Sequence, residues 1–185
     1  LFINQFASNL YNSTTNFVVG IVLGNYSAGV FGVIRKAVEL LSVFNAVATT
    51  IMYPYLVRNN GFFILYSKLY LLISLFLVCI FFLLDSSILK FLGVTYIDYR
   101  LVYYILLVGV FFTGFYSVYA VNFLILKGFS KIVMSIILFF SVIGMLLSVP
   151  LVSYGGLIGA AAIVSFTQIA IGTYSFLVYR RYKAY

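Results

Sequence analysis

The chain has 185 residues, a formal net charge of +8, and a composition that is 65% hydrophobic and only 8% charged. Globular proteins carry about 25% charged residues, so a soluble domain of this composition would expose apolar surface on every side. The composition therefore excludes an ordinary soluble domain and favours lipid as the solvent for most of the chain.

Six apolar segments are long enough to cross a membrane, since a helix needs about 20 residues to span a hydrocarbon core of about 30 Å. Backbone in lipid must satisfy its own hydrogen bonds, so segments of this length are expected to be helices. In chain order they cover residues 1–23, 31–52, 65–84, 101–124, 132–152 and 156–178. We therefore expect an all-α polytopic membrane protein in which residues 1–185 form a single six-helix transmembrane bundle.

The first segment contains more polar side chains than a lipid-facing helix tolerates. Gln5, Asn9, Asn12 and Asn16 fall within an arc of about 60° on a helix that turns by about 100° per residue. Two explanations are open: the amides hydrogen-bond to neighbouring helices, or they line a water-filled cavity. A continuous stripe of four favours the cavity, because every unpaired buried amide costs a few kcal/mol.

The second segment carries charge inside a predicted span. Arg35 and Glu39 stand at i,i+4 and can form an ion pair, with Lys36 beside them, and Ser42, Ala46 and Thr49 continue the face of Arg35. Arg35 and Lys36 lie about a turn below the predicted boundary, so their long stems could also extend to the interface. Glu39 is shorter and lies deeper, which favours a functional role for it.

The later segments are less informative. The sixth has Ala161, Ser165, Gln168 and Gly172 along one face, a pattern typical of close helix packing in which only Gln168 suggests a lined path. Gly155 and Gly159 form a small-xxx-small pair. Asn122, near the end of the fourth segment, is isolated, and we expect it to satisfy a neighbouring backbone group.

The distribution of bases predicts the orientation. The connections after the second and fourth spans and the C-terminal tail hold seven bases, whereas the opposite face holds only Lys90 and Arg100, together with both aspartates. The positive-inside rule makes the seven-base face, and the C-terminus, cytoplasmic. Tyrosines near the predicted boundaries are interpreted as interface anchors: Tyr26, Tyr53, Tyr55, Tyr66, Tyr96, Tyr99, Tyr103, Tyr104, Tyr179 and Tyr182.

The residues of most catalytic and metal sites are missing. Histidine is absent, Cys79 is the one cysteine, and the acids are Glu39, Asp85 and Asp98. The sequence contains no nucleophile beside a base, no phosphate-cradling glycine loop and no metal-ligand spacing. We expect no enzyme activity, no cofactor and no metal. We also expect no nucleic-acid partner, because membrane proteins are basic for the reason just given.

The first two spans resemble the seventh and eighth helices of Wzx-type O-antigen and polysaccharide flippases, of the multidrug/oligosaccharidyl-lipid/polysaccharide exporter superfamily. The resemblance rests on the amide-bearing first span, the turn "GNYSAGVF", the basic pair Arg35 and Lys36, and the exit "MYPYL". The loop "ILKFLGVTY" fits the second half of that twelve-helix fold. Phe31 stands where the family more commonly has Tyr.

The resemblance implies that the chain is the C-terminal half of a two-bundle transporter, in keeping with its start at Leu1 inside an apolar segment. It implies a flippase that moves undecaprenyl-pyrophosphate-linked oligosaccharide across the bacterial inner membrane by alternating access. Arg35 and Lys36 match the basic position of a cationic cavity. The expected partners are the lipid-linked oligosaccharide and membrane lipids, with a coupling proton or sodium ion and the polysaccharide polymerase complex as further candidates.

Two alternatives remain open. A drug or cation exporter of the same superfamily would favour acids over bases in its cavity, and here Glu39 stands against Arg35 and Lys36. A non-transporting scaffold subunit of polysaccharide assembly would bury its polar stripes in helix contacts and leave no cavity.

Overall fold

The structure of the chain, a computed structural model, describes the backbone of residues 2–58, 60–94 and 97–183 and the side chains of residues 13–58, 61–94 and 99–183. The described residues form helices joined by short turns, with no strand among them. The helices are α1 (Phe2–Leu23), α2 (Asn25–Arg58), α3 (Phe63–Leu83), α4 (Asp85–Phe91), α5 (Ile97–Phe115) and α6 (Ser130–Tyr182). A single 3₁₀ turn, Asn60–Phe62, precedes α3, and α5 continues directly into a π-helix, Tyr116–Ile125.

Four helical segments are long and apolar enough to cross a membrane. They are Asn25–Arg58, Phe63–Leu83, Tyr99–Ile125 and Ser130–Tyr182, while Ser13–Leu23 is a shorter apolar helix among the residues whose side chains are described. The all-helical, membrane-like character predicted from composition is therefore confirmed. The division into six spans within a two-bundle transporter is finer than these four segments and stays a prediction.

Helix α6 consists of two antiparallel parts. Gly156 interrupts it with φ 56° and ψ −138°, a conformation that glycine adopts readily because it has no Cβ. Residues on opposite sides of this break then meet: a Cβ on Gly144 would lie 2.6 Å from the Thr167 hydroxyl, and a Cβ on Gly159 would overlap the Leu151 carbonyl oxygen. The predicted turn at "SYGG" is confirmed, and of the glycine pair only Gly159 makes a close helix contact.

Helices α1 and α2 form a second hairpin. The connections predicted before and after α2 were longer than those in the structure. The residues between the first two predicted spans were expected to form a connection, yet Gly24 alone leaves the helix, with φ 88°, and α2 begins at Asn25. The far end of α2 also extends to Arg58 across Pro54, which was expected to lie in the following connection. Continuing a helix satisfies backbone groups that a longer loop would leave unpaired in lipid.

At the end of the bundle that holds Gly24 and Gly156, the short helix α4 is fixed by a polar cluster. The carboxylate of Asp85 accepts hydrogen bonds from the Tyr104 hydroxyl and from Ser86, and lies 3.4 Å from Nε of Arg100. The Tyr104 hydrogen bond, helped by Ser86 and Arg100, lowers the pKa of this carboxyl below its usual range. The cluster therefore joins the start of α4 to α5 with the carboxyl ionised at neutral pH.

The opposite end is held by aromatic side chains and carries bases. The rings of Phe63 and Phe123 lie 5.0 Å apart and those of Tyr119 and Tyr179 lie 4.8 Å apart. A small pocket of about 200 Å³ beside this cluster is lined by both Lys127 and Lys183. Bases from the connection after α5 and from the C-terminal tail thus meet at one end, as the sorting by connection predicted. Which end faces the cytoplasm stays a prediction.

Three of the proposed interface tyrosines have another role. Tyr66, Tyr103 and Tyr179 are buried, so the interpretation of these as interface anchors was wrong. The hydroxyl of Tyr103 donates to the Phe81 carbonyl at 3.0 Å. The expectation for Asn122 was also wrong: its Nδ2 donates to the Tyr66 hydroxyl at 2.6 Å rather than to a backbone group. For Tyr103, and for the Tyr66–Asn122 pair, a partner on another helix offsets the cost of burying these polar groups.

A buried polar network around Asn45 joins α2, α3 and α5. Asn45 donates from Nδ2 to the Thr113 hydroxyl at 3.0 Å, and its Oδ1 accepts from the Tyr70 hydroxyl at 2.9 Å. The Thr49 hydroxyl donates to the Asn45 carbonyl at 2.7 Å. Because the amide uses both of its polar atoms, this network fixes the relative positions of three helices.

We predict that Asn45→Ala destabilises the folded bundle by about 1–3 kcal/mol, because it removes two interhelical side-chain hydrogen bonds and leaves the Tyr70 hydroxyl the longer, 3.3 Å bond to the carbonyl of residue 45. Unfolding of the complete protein in mixed detergent micelles measures the change. Thr50→Ala is the matched control, since the Thr50 hydroxyl is exposed and bonds only to Ala46 of its own helix. Equal losses of stability in both variants would contradict the role assigned to the network.

We predict that a cysteine replacing Tyr154, beside the Gly156 turn, reacts with an impermeant maleimide added to intact cells. A cysteine replacing Gly61, near the opposite end, is expected to react only after permeabilisation, because the positive-inside rule predicts that the base-rich end faces the cytoplasm. Both positions are exposed. Cys79 is exposed as well, so the experiment uses a Cys79→Ala background. The reverse labelling pattern would overturn the orientation.

Candidate functional site

A polar cleft lies between α1 and α2, near the middle of their hairpin. Its volume is about 380 Å³. The lining residues are Ser13, Asn16 and Phe17 from α1, and Gly32, Arg35, Lys36 and Glu39 from α2. Charged side chains from one helix therefore face polar side chains from the other across a space that the described helices leave unfilled.

The Gly24 turn determines which residues meet across this hairpin. Gly20 lies against Ala28, each four residues from Gly24. Asn16 lies against Gly32, each eight residues from Gly24. A Cβ on Gly32 would lie 3.8 Å from Oδ1 and 3.9 Å from Nδ2 of Asn16. The Asn16 amide therefore rests directly on the α2 backbone surface. Its Oδ1 is buried and has no hydrogen-bond partner among the described residues.

The charges of the cleft form an asymmetric group. Nε and Nη2 of Arg35 both lie 2.8 Å from Oε1 of Glu39, and Nζ of Lys36 lies 3.8 Å from Oε2. Two cations thus share one carboxylate, which leaves the group with a net positive charge. At about 4 Å a charge pair is worth about 1 kcal/mol in water and about 4 kcal/mol at an effective dielectric of 20. A second anion entering the cleft would therefore be attracted rather than repelled.

Arg35 and Lys36 differ in exposure. The Arg35 side chain is 14% exposed and that of Glu39 is 30% exposed, whereas the Lys36 side chain is 85% exposed. A side chain that extends to the interface would have its head group in the open, so the covered Arg35 guanidinium fits a cleft residue better than an interface residue. Lys36 stands at the rim, where its ammonium group is mobile.

The structure brings together four of the residues that the sequence singled out: Asn16, Arg35, Lys36 and Glu39. The side chains of Gln5, Asn9 and Asn12 lie outside the described residues, so the amide stripe is seen only at Asn16. Ser13, Phe17 and Gly32 were not singled out. Gly32 could have been found from the sequence by treating Gly24 as a one-residue turn, which pairs positions 16 and 32.

The predicted polar face of α2 divides along its length. Glu39 reaches the cleft, Thr49 is buried toward the Asn45 network, and Ala46 is exposed. A straight helix that contacts different neighbours at different levels cannot use one face for one purpose. The cleft is therefore limited to the part of α2 before Ser42.

Gln168 lies elsewhere, in the contact between α5 and α6. It is buried against Gly109, where an added Cβ would overlap its Oε1, and that oxygen has no partner among the described residues. The same face of α6 packs closely on α5: the Ser165 hydroxyl donates to the Ile105 carbonyl at 2.6 Å, and Gly172 lies against the Phe112 carbonyl. This face serves helix packing, and Gln168 does not line the cleft between α1 and α2.

The chemistry available in the cleft is anion binding. A guanidinium offers paired donors that match phosphate oxygens, and a nearby ammonium adds a mobile charge. Among the residues described, no three His, Cys, Asp or Glu side chains come together in a way that could hold a metal ion. The cleft is thus a cationic recess within an apolar helical protein.

Comparisons with known proteins add nothing to this description. The chain matches no protein-family model, no curated protein and no solved structure. The helical fold, its membrane-like composition and the geometry of the cleft are therefore the basis on which a function can be argued.

Proposed function

We propose that this chain is part of a flippase that translocates undecaprenyl-pyrophosphate-linked oligosaccharide across the bacterial inner membrane by alternating access. In this proposal its helices form one six-span bundle, the C-terminal half of a twelve-helix transporter. The observation that carries the proposal is the covered guanidinium of Arg35, held in a polar cleft between two apolar helices. A charged side chain between membrane-spanning helices is costly and therefore rare, and this favours a functional role for Arg35.

Glu39 would pair with Arg35 until the anion of the substrate binds there. In the structure its Oε1 accepts from both Nε and Nη2 of Arg35. A pyrophosphate carries more charge and more acceptor oxygens than a carboxylate, so it would displace Glu39 from the guanidinium. The released carboxylate could then take up a proton or a sodium ion, which would couple substrate binding to an ion.

The amides would form hydrogen bonds with the sugar part of the substrate. Neutral donors and acceptors bind hydroxyl groups with modest strength, about 0.5–1.5 kcal/mol each, so that a sugar chain can pass without being held. Asn16 fits this role because its amide side chain lines the cleft.

The same features weigh against the alternatives. A drug or cation exporter would favour a net negative cavity, whereas the described charges of this cleft are two bases and one acid. A scaffold subunit would close its polar residues into helix contacts, whereas a space of about 380 Å³ separates the polar side chains here. Contact with a polysaccharide polymerase complex remains compatible with the flippase proposal.

We predict that Arg35→Ala in the complete protein abolishes surface-polysaccharide export without lowering its abundance in the membrane. Arg35→Lys should retain part of the export, since it keeps the charge and loses the paired donors. Lys36→Ala should lower export less than Arg35→Ala does, because Lys36 lies at the exposed rim of the cleft. Export is measured as polysaccharide on the cell surface in a strain that lacks the native gene.

Arg58→Ala is the matched control for this series. Arg58 is an exposed base at the end of the same helix, outside the cleft, so its removal should leave export unchanged. Full export by the Arg35→Ala protein at normal abundance would show that the Arg35 charge has no part in transport, and the proposal would have to be withdrawn.

A further inference from the structure

An apolar groove opens beside the polar cleft, on the surface formed by α2, α3 and α4. Its volume is about 820 Å³, about twice that of the cleft. The floor is α2, where Ala28, Gly29 and Gly32 leave space, and the opposite wall consists of larger side chains: Phe81, Leu84, Ile88, Phe91 and Leu92. Ser87 and Lys36 are among its few polar lining groups.

The groove and the cleft are continuous. Asn16, Gly32 and Lys36 line both of them. A molecule that occupied both would therefore place an anionic group beside Arg35 and Lys36 and an apolar chain between α2 and α4. Its polar and apolar parts would be joined directly at Lys36, whose side chain is 85% exposed and whose Nζ lies 3.8 Å from Oε2 of Glu39.

We propose that this groove binds the polyprenyl chain of the lipid-linked substrate next to its phosphate, with the phosphate at the junction, beside Arg35 and Lys36. This inference rests on the proposed function and adds where the substrate's lipid chain lies. The argument is charge complementarity together with continuity: a polyprenyl phosphate joins one hydrocarbon chain directly to an anion, and the two spaces are adjacent with their cation at the boundary. A glycerophospholipid would place a glycerol group and a second chain there.

The phosphate must supply most of the selectivity. A hydrocarbon chain that moves from the bilayer into the groove leaves an environment as apolar as the one it enters, so the hydrophobic effect contributes little. The groove can only orient the chain by shape. A polyprenol without phosphate should therefore bind much more weakly than the corresponding phosphate.

Gly29 offers a way to fill the groove without disturbing the fold. An added Cβ at Gly29 would meet no atom within 4 Å, and its φ lies outside the left-handed region. Because Gly29 lines the groove and its Cβ position is open, we expect Gly29→Leu to occupy groove space without displacing a neighbour of the Cβ. Gly155 is the matched control, because it has the same open surroundings and a compatible φ but lies beside the Gly156 turn, outside the groove.

The test is photolabelling of the complete protein with a polyprenyl phosphate that carries a diazirine on its first isoprene unit. We expect the label on residues of the groove wall between 81 and 92, identified by mass spectrometry of the peptides. Gly29→Leu should lower this labelling by about fivefold or more, and Gly155→Leu should leave it unchanged. Lys36→Gln should lower labelling by the phosphate probe but not the weak labelling by a polyprenol probe.

Three results would overturn the inference: a label located elsewhere, equal labelling of the Gly29→Leu and unsubstituted proteins, or equal competition by phosphatidylglycerol and unlabelled polyprenyl phosphate. The last would make the groove an ordinary lipid contact. These outcomes are separate from export by the Arg35→Ala protein. Normal export by that variant removes the proposed function, whereas failure of the labelling removes only the assignment of the groove.

Discussion

The structure depends on one constraint: a polar group in hydrocarbon must find a partner within the protein, because leaving it unpaired costs about 2–7 kcal/mol. The backbone meets this constraint by remaining helical almost everywhere, so that single glycines, Gly24 and Gly156, suffice for two of the chain reversals. Buried side chains meet it through neighbours on other helices, as Asn45 does with Tyr70 and Thr113. Against this background, a cleft that keeps two bases and one acid between apolar helices is an exception.

The bundle thus contains two different kinds of polar site, the Asn45 network and the α1–α2 cleft. In the Asn45 network the donors and acceptors are matched, so the site fixes helices and has no capacity for a ligand. In the α1–α2 cleft two bases share one carboxylate, and the Asn16 oxygen has no partner among the described residues. The apolar groove shares its rim with this cleft. An anion attached to a hydrocarbon chain is the ligand that fits both the charge surplus and the position of the groove.

The sequence predicted what depends on composition and on local spacing. It predicted the helical membrane-like fold, the turn at Gly156, and the meeting of Asn16, Arg35, Lys36 and Glu39, because the i,i+4 relation and the hairpin order are local. It did not predict contacts between residues that are distant in the chain. Tyr66 and Tyr103, expected at the membrane interface, are buried, and Asn122, expected to bond to a backbone group, bonds to the Tyr66 hydroxyl. Asn45 was overlooked, since nothing in its local sequence shows that Thr113 and Tyr70 surround it. Gln168 resembled a cavity residue because packing and lining faces have the same small and polar composition.

The central claim is that the α1–α2 cleft is wet, and thiol reactivity measures this directly because only a thiolate in water reacts with a maleimide. Ser13 lines the cleft, whereas Ile21 of the same helix is 69% exposed and lies outside it. In a Cys79→Ala background of the complete protein in membranes, we expect Ser13→Cys to react at least about tenfold faster than Ile21→Cys. Equally slow reaction of both cysteines would mean that the cleft is closed or filled with lipid, and would contradict the account.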